Sequence, residues 1–488
     1  MDLTPWSPAR EQAAAVVRGR VSSRELVEQM LTRIERSDLN AVVTVDADAA
    51  RAAADRCDAA VSAGSALPPL HGVPITVKDA WAVRGMRSTS GLPELRADVP
   101  AYDAVAVARL REAGAVIVGK TNVPPGITGQ ETANCLFGRT LNPWDRRRTP
   151  GGSSGGAAAA LAAGLTPLEL GSDSGGSIRQ PAHCCGVFGH VPTHGVVPLR
   201  GHRPQVPWEH VGKDVDLMTA GPLARSAGDL ALALDVLAGD DPAIGGGMRF
   251  DLPPARVTAL RGARIGVWLD DPFCPTDALV LDRLRAVADA VADRGAVVSE
   301  RRPPVSLAEA WDVAFPLWVA ASSARTSEEE LHRLRGQRDA DGLAGQRARA
   351  ETMTHADWLR LDEQRHELQR RWASVFDDVD VLLCPVIPVV APEHDPVDDL
   401  DEIASVDHRL ARTIRVNGAD RPYLDQLTWN IVVGLAGLPA TVAPAGLSAA
   451  GLPVGVQILG DRYADRTTIR TAELLETEVA GFVVPPAA

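Results

Sequence analysis

The apolar positions of this chain change period repeatedly, and each change places an element. Near the N-terminus, Leu26, Met30, Leu31 and Ile34 recur at helical spacing behind Ser22-Ser23-Arg24-Glu25, a capping box. Ser7-Pro8 predicts an earlier helix with Ser7 as its cap and proline in its first turn. Residues 41–45 read as a short strand, and residues 71–80 (HGVPITVKDA) as a buried one with Val73, Ile75 and Val77 at alternate positions. Residues 103–113 predict a helix that leads through Gly114 into a strand over 115–118. Residues 157–163 are almost wholly alanine, a helix able to pack very close to its neighbours. Residues 165–170 then read as a strand, and 171–177 as a glycine-rich turn.

Alternating strands and helices predict an α/β fold, one large domain over residues 1–488 with a sheet sandwiched by helices. Residues 306–378 break the alternation. They are charged and Arg/Glu-rich, and read as an inserted helical region packed over the sheet, with Trp311, Phe315, Trp318 and Trp358 as roof or core. Residues 429–460 carry no charge at all, but Pro439, Pro444, Pro453 and many glycines divide them into strands and turns of a buried sheet.

Composition narrows the function classes. With 488 residues, 45% apolar and 23% charged, the balance is that of an ordinary globular protein. A formal net charge of −13 repels phosphate backbones and argues against a nucleic-acid partner. The first thirty residues lack the apolar run of a signal peptide, and no membrane association is expected. Six cysteines (57, 135, 184, 185, 274, 384) lack the spacing of a zinc site and read as reduced thiols of a cytoplasmic protein. Of 50 basic residues only three are lysines: Lys78, Lys120 and Lys213. A position that stays lysine in such a chain is a candidate for needing an amine, which can lose its proton where guanidinium cannot.

Two loops of small residues stand out, 151–156 (GGSSGG) and 171–177 (GSDSGGS). Glycines let backbone N–H groups turn towards a ligand, and the serines offer hydroxyls. The first loop lacks the GK[ST] ending of a phosphate-binding loop, and neither has the final glycine of a nucleophile elbow. No histidine sits in a motif that marks it as a triad partner. A neutral lysine can serve a serine nucleophile as base when burial lowers its pKa, and Lys78, ending an apolar strand, meets that requirement. Asp79 beside it could counteract the shift, although strand neighbours point to opposite faces.

The run from Lys78 to Pro198 resembles the amidase signature family: a strand ending in lysine, then GGSSGG, then G-S/T-D-x-GGS-x-R. Ser153 to Ser177 is a 24-residue step and Lys78 to Ser153 a 75-residue step, and both match. Gly119-Lys120-Thr121-Asn122, residues 221–225 and residues 451–457 also look like family segments, so the likeness covers nearly the whole chain. The resemblance implies a mixed central sheet with helices on both faces and a signature core over 71–198. It implies Ser177 as nucleophile, Ser153 (reached through a cis peptide bond) as proton relay and Lys78 as base. The N–H groups of Ser174, Gly175, Gly176 and Ser177 would form the oxyanion hole, with Ser154, Asp173 and Arg179 supporting the loops. Lys120 would be structural, and no cofactor or metal is implied. Ser174 and Gln180 stand where the family more often has apolar residues.

The leading expectation is a hydrolase of amides, anilides or carbamates that takes small-molecule substrates, with a homodimer left open. The alternatives are the glutaminase subunit of a tRNA-dependent amidotransferase, which shares the signature, and a glycine-rich module that only binds a small ligand. Residues 130–135, Gln130, Glu131 and Thr132 among them, and the region 201–208 are the candidate substrate loops.

Overall fold

The computed structural model describes residues 3–202, 215–243, 245, 250–323 and 326–486, so Lys213 and positions 203–208 of the second candidate loop lie outside the described residues. Among the described residues, eleven strands form one mixed sheet. In chain order they are β1 (Val42–Val45), β2 (Pro74–Lys78), β3 (Val116–Thr121), β4 (Leu168–Asp173), β5 (Phe188–Val191), β6 (Thr219–Ala224), β7 (Arg264–Val267), β8 (Val297–Glu300), β9 (Val381–Pro385), β10 (Ala440–Leu447) and β11 (Pro453–Leu459). Across the sheet the order is β1-β3-β2-β4-β6-β5-β10-β11-β9-β7-β8. The expected α/β architecture is therefore the observed one.

Alternation along single strands shows that both faces are covered. In β9, Val381 and Leu383 enter one apolar cluster, while Leu382 and Cys384 enter the other. β2 lies between two parallel neighbours, β3 and β4, and all five of its residues are buried. Such a strand has no wet side. Its polar side chains, Thr76 and Lys78, must find partners inside the protein.

The alanine-rich segment forms α1 (Gly155–Ala162), every residue of which is buried. Its first turn leaves no room for larger side chains. A Cβ on Gly155 would sit 2.3 Å from Thr132 Oγ1, and one on Gly156 2.4 Å from the Asn122 amide nitrogen. A second helix, α2 (Arg179–Cys185), follows the second loop directly. The described residues of 306–378 are mostly helical, as expected, beginning with α3 (Leu307–Ser322), on which Trp311 stacks against Phe315 at 4.7 Å.

Three expectations are corrected. The helix Ala9–Val17 starts after Pro8, and Ser7 does not cap it; the Asp229 carboxylate accepts from the Ala9 and Arg10 N–H groups at 2.7 and 3.0 Å. A distant acid thus satisfies the donors that a local cap would otherwise take. The strand placed at 165–170 lies at Leu168–Asp173, so Gly171 belongs to the sheet. A side chain there would meet Leu223 Cδ1 at 2.6 Å, so close packing and not a turn requires this glycine. Residues 429–436 belong to a helix, α4 (Asp425–Ala436), whose residues are nearly all buried. A helix buried all round has no polar face, and its periodicity is lost.

Candidate active site

Lys78 ends β2 and is fully buried. Its Nζ lies 2.7 Å from Ser153 Oγ, 3.0 Å from Ser172 Oγ and 3.2 Å from the Ser172 carbonyl oxygen. Burial lowers its pKa to about 7, against the opposing pull of the Asp173 and Glu169 charges. A substantial fraction of the amine is therefore neutral near pH 7. Asp79 turns the other way, as strand alternation requires, and pairs with Lys120 at 3.1 Å.

The two glycine–serine loops meet at this lysine. The Gly152–Ser153 peptide is cis. The N–H of Ser154, whose residue heads α1, donates to the Ser177 carbonyl at 3.1 Å, which ties the loops together. Ser177 is half-buried and lines a cleft with Gly152, Ser174, Gly175, Gln130 and Gln180.

Asp173 organises the second loop. Its carboxylate accepts from the Gly176 and Ile178 N–H groups at 2.7 and 2.9 Å, and from Arg179 Nη2 and Nε at 2.8 and 3.1 Å. Burial by itself would raise the Asp173 pKa; the Arg179 charge and these hydrogen bonds outweigh it and hold the group below the usual carboxylate range. Arg179 reaches on to the Asn430 carbonyl and Gln457 Oε1, anchoring the loop to α4 and β11.

Of the four expected oxyanion donors, the Gly176 N–H is thus committed to Asp173. The N–H groups of Ser174, Gly175 and Ser177 have no acceptor among the described residues. Gly176 has φ of +118° and a Cβ there would meet Asn430 Nδ2 at 2.9 Å, so only glycine fits. Ser174 accepts the indole N–H of Trp318 at 3.1 Å, which gives this unusual serine a partner on α3.

The first candidate substrate loop divides. Gln130 lines the cleft. Glu131 is turned away into a buried ion-pair group with Arg412 and His394. The Thr132 hydroxyl donates to the Gly151 carbonyl at 2.8 Å and accepts from the Gly155 N–H, bracing the first loop from behind.

Five residues to which motif reading gave no catalytic role border this site. Ser172 touches Lys78 twice. His202 Nε2 lies 2.9 Å from Ser172 Oγ. Glu169 is buried on β4 opposite Thr76 of β2, and burial raises its pKa to about 8. Trp318 and Thr128 line both the cleft, of about 30 Å³, and a neighbouring cavity of about 200 Å³, whose wall mixes apolar residues (Phe315, Val406, Leu410, Leu424) with Arg347, Glu351 and Arg409. The signal for Ser172 was its place in GSD beside the aspartate; His202 had none beyond lying in a candidate loop.

With this geometry in view, comparison with known proteins is informative. The family model described as Amidase matches residues 25–469. The chain belongs to the amidase signature family. The glutamyl-tRNA(Gln) amidotransferase A subunit of Roseiflexus sp. (strain RS-1) is 36% identical, covering 96% of this chain and 94% of that relative. A solved structure from work on a vestigial protein complex and the origins of an s-triazine catabolic enzyme shares 31% identity, with a TM-score of 0.81 over 97% of this chain and 99% of that one. A bacterial aryl acylamidase of the family superposes with a TM-score of 0.80 at 27% identity, over 97% and 96% of the two chains. The amidase-signature chain is thus an enzyme acting on carbon–nitrogen bonds. Among its described residues, no helix is long and apolar enough to cross a membrane.

Proposed function

We propose that this chain hydrolyses amide-type C–N bonds through an acyl-enzyme on Ser177, with Ser153 as relay and Lys78 as base. The observation that carries the reading is a fully buried amine 2.7 Å from a serine hydroxyl, with its pKa lowered to about 7 by burial. Neutral Lys78 takes the Ser153 proton as Ser153 takes that of Ser177, and Ser177 Oγ bonds to the carbonyl carbon. The carbonyl π electrons move to oxygen, where the N–H groups of Gly175 and Ser177 receive the charge; one such donor contributes roughly 3–4 kcal/mol in the transition state. Collapse re-forms the carbonyl and breaks the C–N bond. The ammonium proton of Lys78 passes through Ser153 to the departing nitrogen, which would otherwise leave as a poor anion. Water then repeats the sequence on the ester and frees Ser177.

The lining favours a neutral, largely apolar amide, anilide or carbamate bearing an N–H. Among the described residues no lysine or arginine lines the cleft, and its one carboxylate, Asp216, is paired through Oδ1 with Arg365 at 2.6 Å, while its Oδ2 is buried without a hydrogen-bond partner. Gln130 Oε1 and Gln180 Oε1 are buried without a hydrogen-bond partner, two acceptors suited to a substrate N–H. The cleft itself is small, so the bulk of the substrate would lie past Trp318 in the neighbouring cavity, against Phe315, Leu410 and Leu424.

The glutaminase reading is favoured by a different observation, the match over nearly full length to amidotransferase A subunits. Glutamine carries an ammonium and a carboxylate; the cleft next to Ser177 has no lysine or arginine in its described lining, while Arg347 and Arg409 line the neighbouring cavity. A panel of p-nitroanilides, aliphatic amides, aryl carbamates and glutamine, with intact-mass trapping of the acyl-enzyme, separates the readings. Turnover of neutral substrates by the purified chain supports the first. Turnover of glutamine alone, and only with partner subunits, replaces it with the second.

A further inference from the structure

We infer that His202 is a positioning residue that sets the direction of proton transfer at Lys78, acting through the Ser172 hydroxyl. The inference rests on the reading of Lys78 as the base. It follows from a count of donors and acceptors around one nitrogen.

Lys78 Nζ has three oxygen neighbours, Ser153 Oγ, Ser172 Oγ and the Ser172 carbonyl, at 2.7, 3.0 and 3.2 Å. As an ammonium, Lys78 has three N–H donors and can satisfy all three. As a neutral amine it has two N–H groups and one lone pair, so one neighbour must donate to it. The carbonyl can only accept. The lone pair is therefore contested by two hydroxyls, Ser153 and Ser172. The proposed relay needs Ser153 to win, because in it Ser153 is the hydroxyl that serves Ser177.

His202 Nε2, 2.9 Å from Ser172 Oγ, decides the contest. When Nε2 is the acceptor, it takes the Ser172 proton, and the Ser172 oxygen can only accept from Lys78. Both amine N–H groups are then used on Ser172, and the lone pair is left facing Ser153. When Nε2 instead carries hydrogen, it donates to Ser172, whose own proton is then available to the Lys78 lone pair. Lys78 would in that case donate to Ser153 and could not deprotonate it.

The surroundings keep the ring neutral and in place, so that Nε2 is free to accept in the tautomer with hydrogen on Nδ1. His202 is 4% exposed, and burial, together with the nearby Lys78 charge, pushes its pKa down to about 3, so it is neutral through the working range. The Trp81 ring packs edge-on against it with centroids 4.6 Å apart, and its backbone N–H is held by the Leu199 carbonyl at 2.8 Å. The other titratable groups whose charge reaches Lys78 are Asp173 and Glu169, both on β4.

His202→Phe keeps a ring on Trp81 and removes the acceptor; His202→Gln offers an amide oxygen near the same place. Kinetics on p-nitroacetanilide and p-nitrophenyl acetate, with melting curves as a fold check, read the result. Because a positioned base contributes on the order of 10²–10⁴-fold, His202→Phe should lower kcat roughly 10- to 100-fold with KM within about twofold, and shift the acid limb of the kcat profile to lower pH. The shift follows because Ser172 can then donate to the neutral amine and stabilise it. His202→Gln should recover most of the lost kcat. Ser172→Ala removes the same hydroxyl without touching the ring, and the double variant should be no slower than the slower single, as for two members of one chain. Losses that multiply in the double variant, or a folded His202→Phe protein with parental kcat and pH profile, overturn the inference. If Ser177→Ala and Lys78→Met also retain turnover, the triad reading has failed as well; if they abolish it, only the role of His202 has.

Discussion

Two buried lysines stand on adjacent parallel strands, on opposite faces of the sheet, and they differ in what surrounds them. Lys120 on β3 faces Asp79 at 3.1 Å and also donates to the Trp81 carbonyl and Ser88 Oγ. Lys78 on β2 has no carboxylate within ion-pair reach among the described residues, and its neighbours are two serines. Both are fully buried. Burial is thus common to the two, and the contacts differ: Lys120 has a carboxylate as partner, while Lys78 has hydroxyls, consistent with a structural role for the first and the proposed base role for the second.

Exchanging the two roles by mutation tests this contrast most sharply. Lys78→Met, and equally Lys78→Arg, should lower kcat/KM by about 10³-fold or more, since neither side chain can take a proton; steady-state kinetics on the fastest amide of the panel checks this. Lys120→Met should act on stability instead. It leaves Asp79 buried without its partner, a loss of about 3–5 kcal/mol by denaturant unfolding. A Lys120→Met protein that folds normally but has lost turnover would break the comparison.

The same contrast has a pH signature. The folded-state pKa of Lys78 is lowered from 10.5 to about 7. Below pH 7 the amine is charged in both states, and the folded protein bears the full penalty of burying it. Between about 7 and 10.5 the folded state has released the proton while the unfolded state still holds it, so stability rises with pH across that window. Removing the amine by Lys78→Met should therefore raise Tm most below pH 7, and the gain should shrink as pH climbs. The kcat/KM profile of the parent should show its acid limb near 7.

The smallest effect is expected beneath the lysine. The Glu169 pKa is raised to about 8, so the group is mostly a neutral acid at pH 7, and Glu169→Gln should keep activity within about threefold there. Removing the residual negative charge should move the acid limb slightly lower. A large loss would show that the carboxyl has a task beyond its neutral form.

Much of this site was legible because its chemistry is local. Glycines that admit close backbone approach, serines at the loop tips and a lysine ending an apolar strand all declare themselves in short stretches. Gly151–Gly156 and GSDSGGS marked both loops, and lysine scarcity marked Lys78. Misread segments had their cause elsewhere in the chain. Ser7 lost its capping role to Asp229, more than two hundred residues away. Gly171 looked like a turn, but it is a contact with Leu223 on the neighbouring strand. Glu131 and Thr132 sit beside Gln130 in sequence, yet only Gln130 faces the cleft, because the loop divides between bracing and lining.

By itself the sequence determined the α/β class, the two loops, and the lysine and serines whose spacing marks the signature, since these rest on period, residue type and local turn chemistry. The tertiary structure alone decided that the Gly176 N–H is taken by Asp173, which lysine lacks a counter-ion among the described residues, and that His202 stands behind Ser172. Those are relations across strands and between loops distant along the chain. They depend on sheet register and on the direction of individual hydrogen bonds, which no local pattern records.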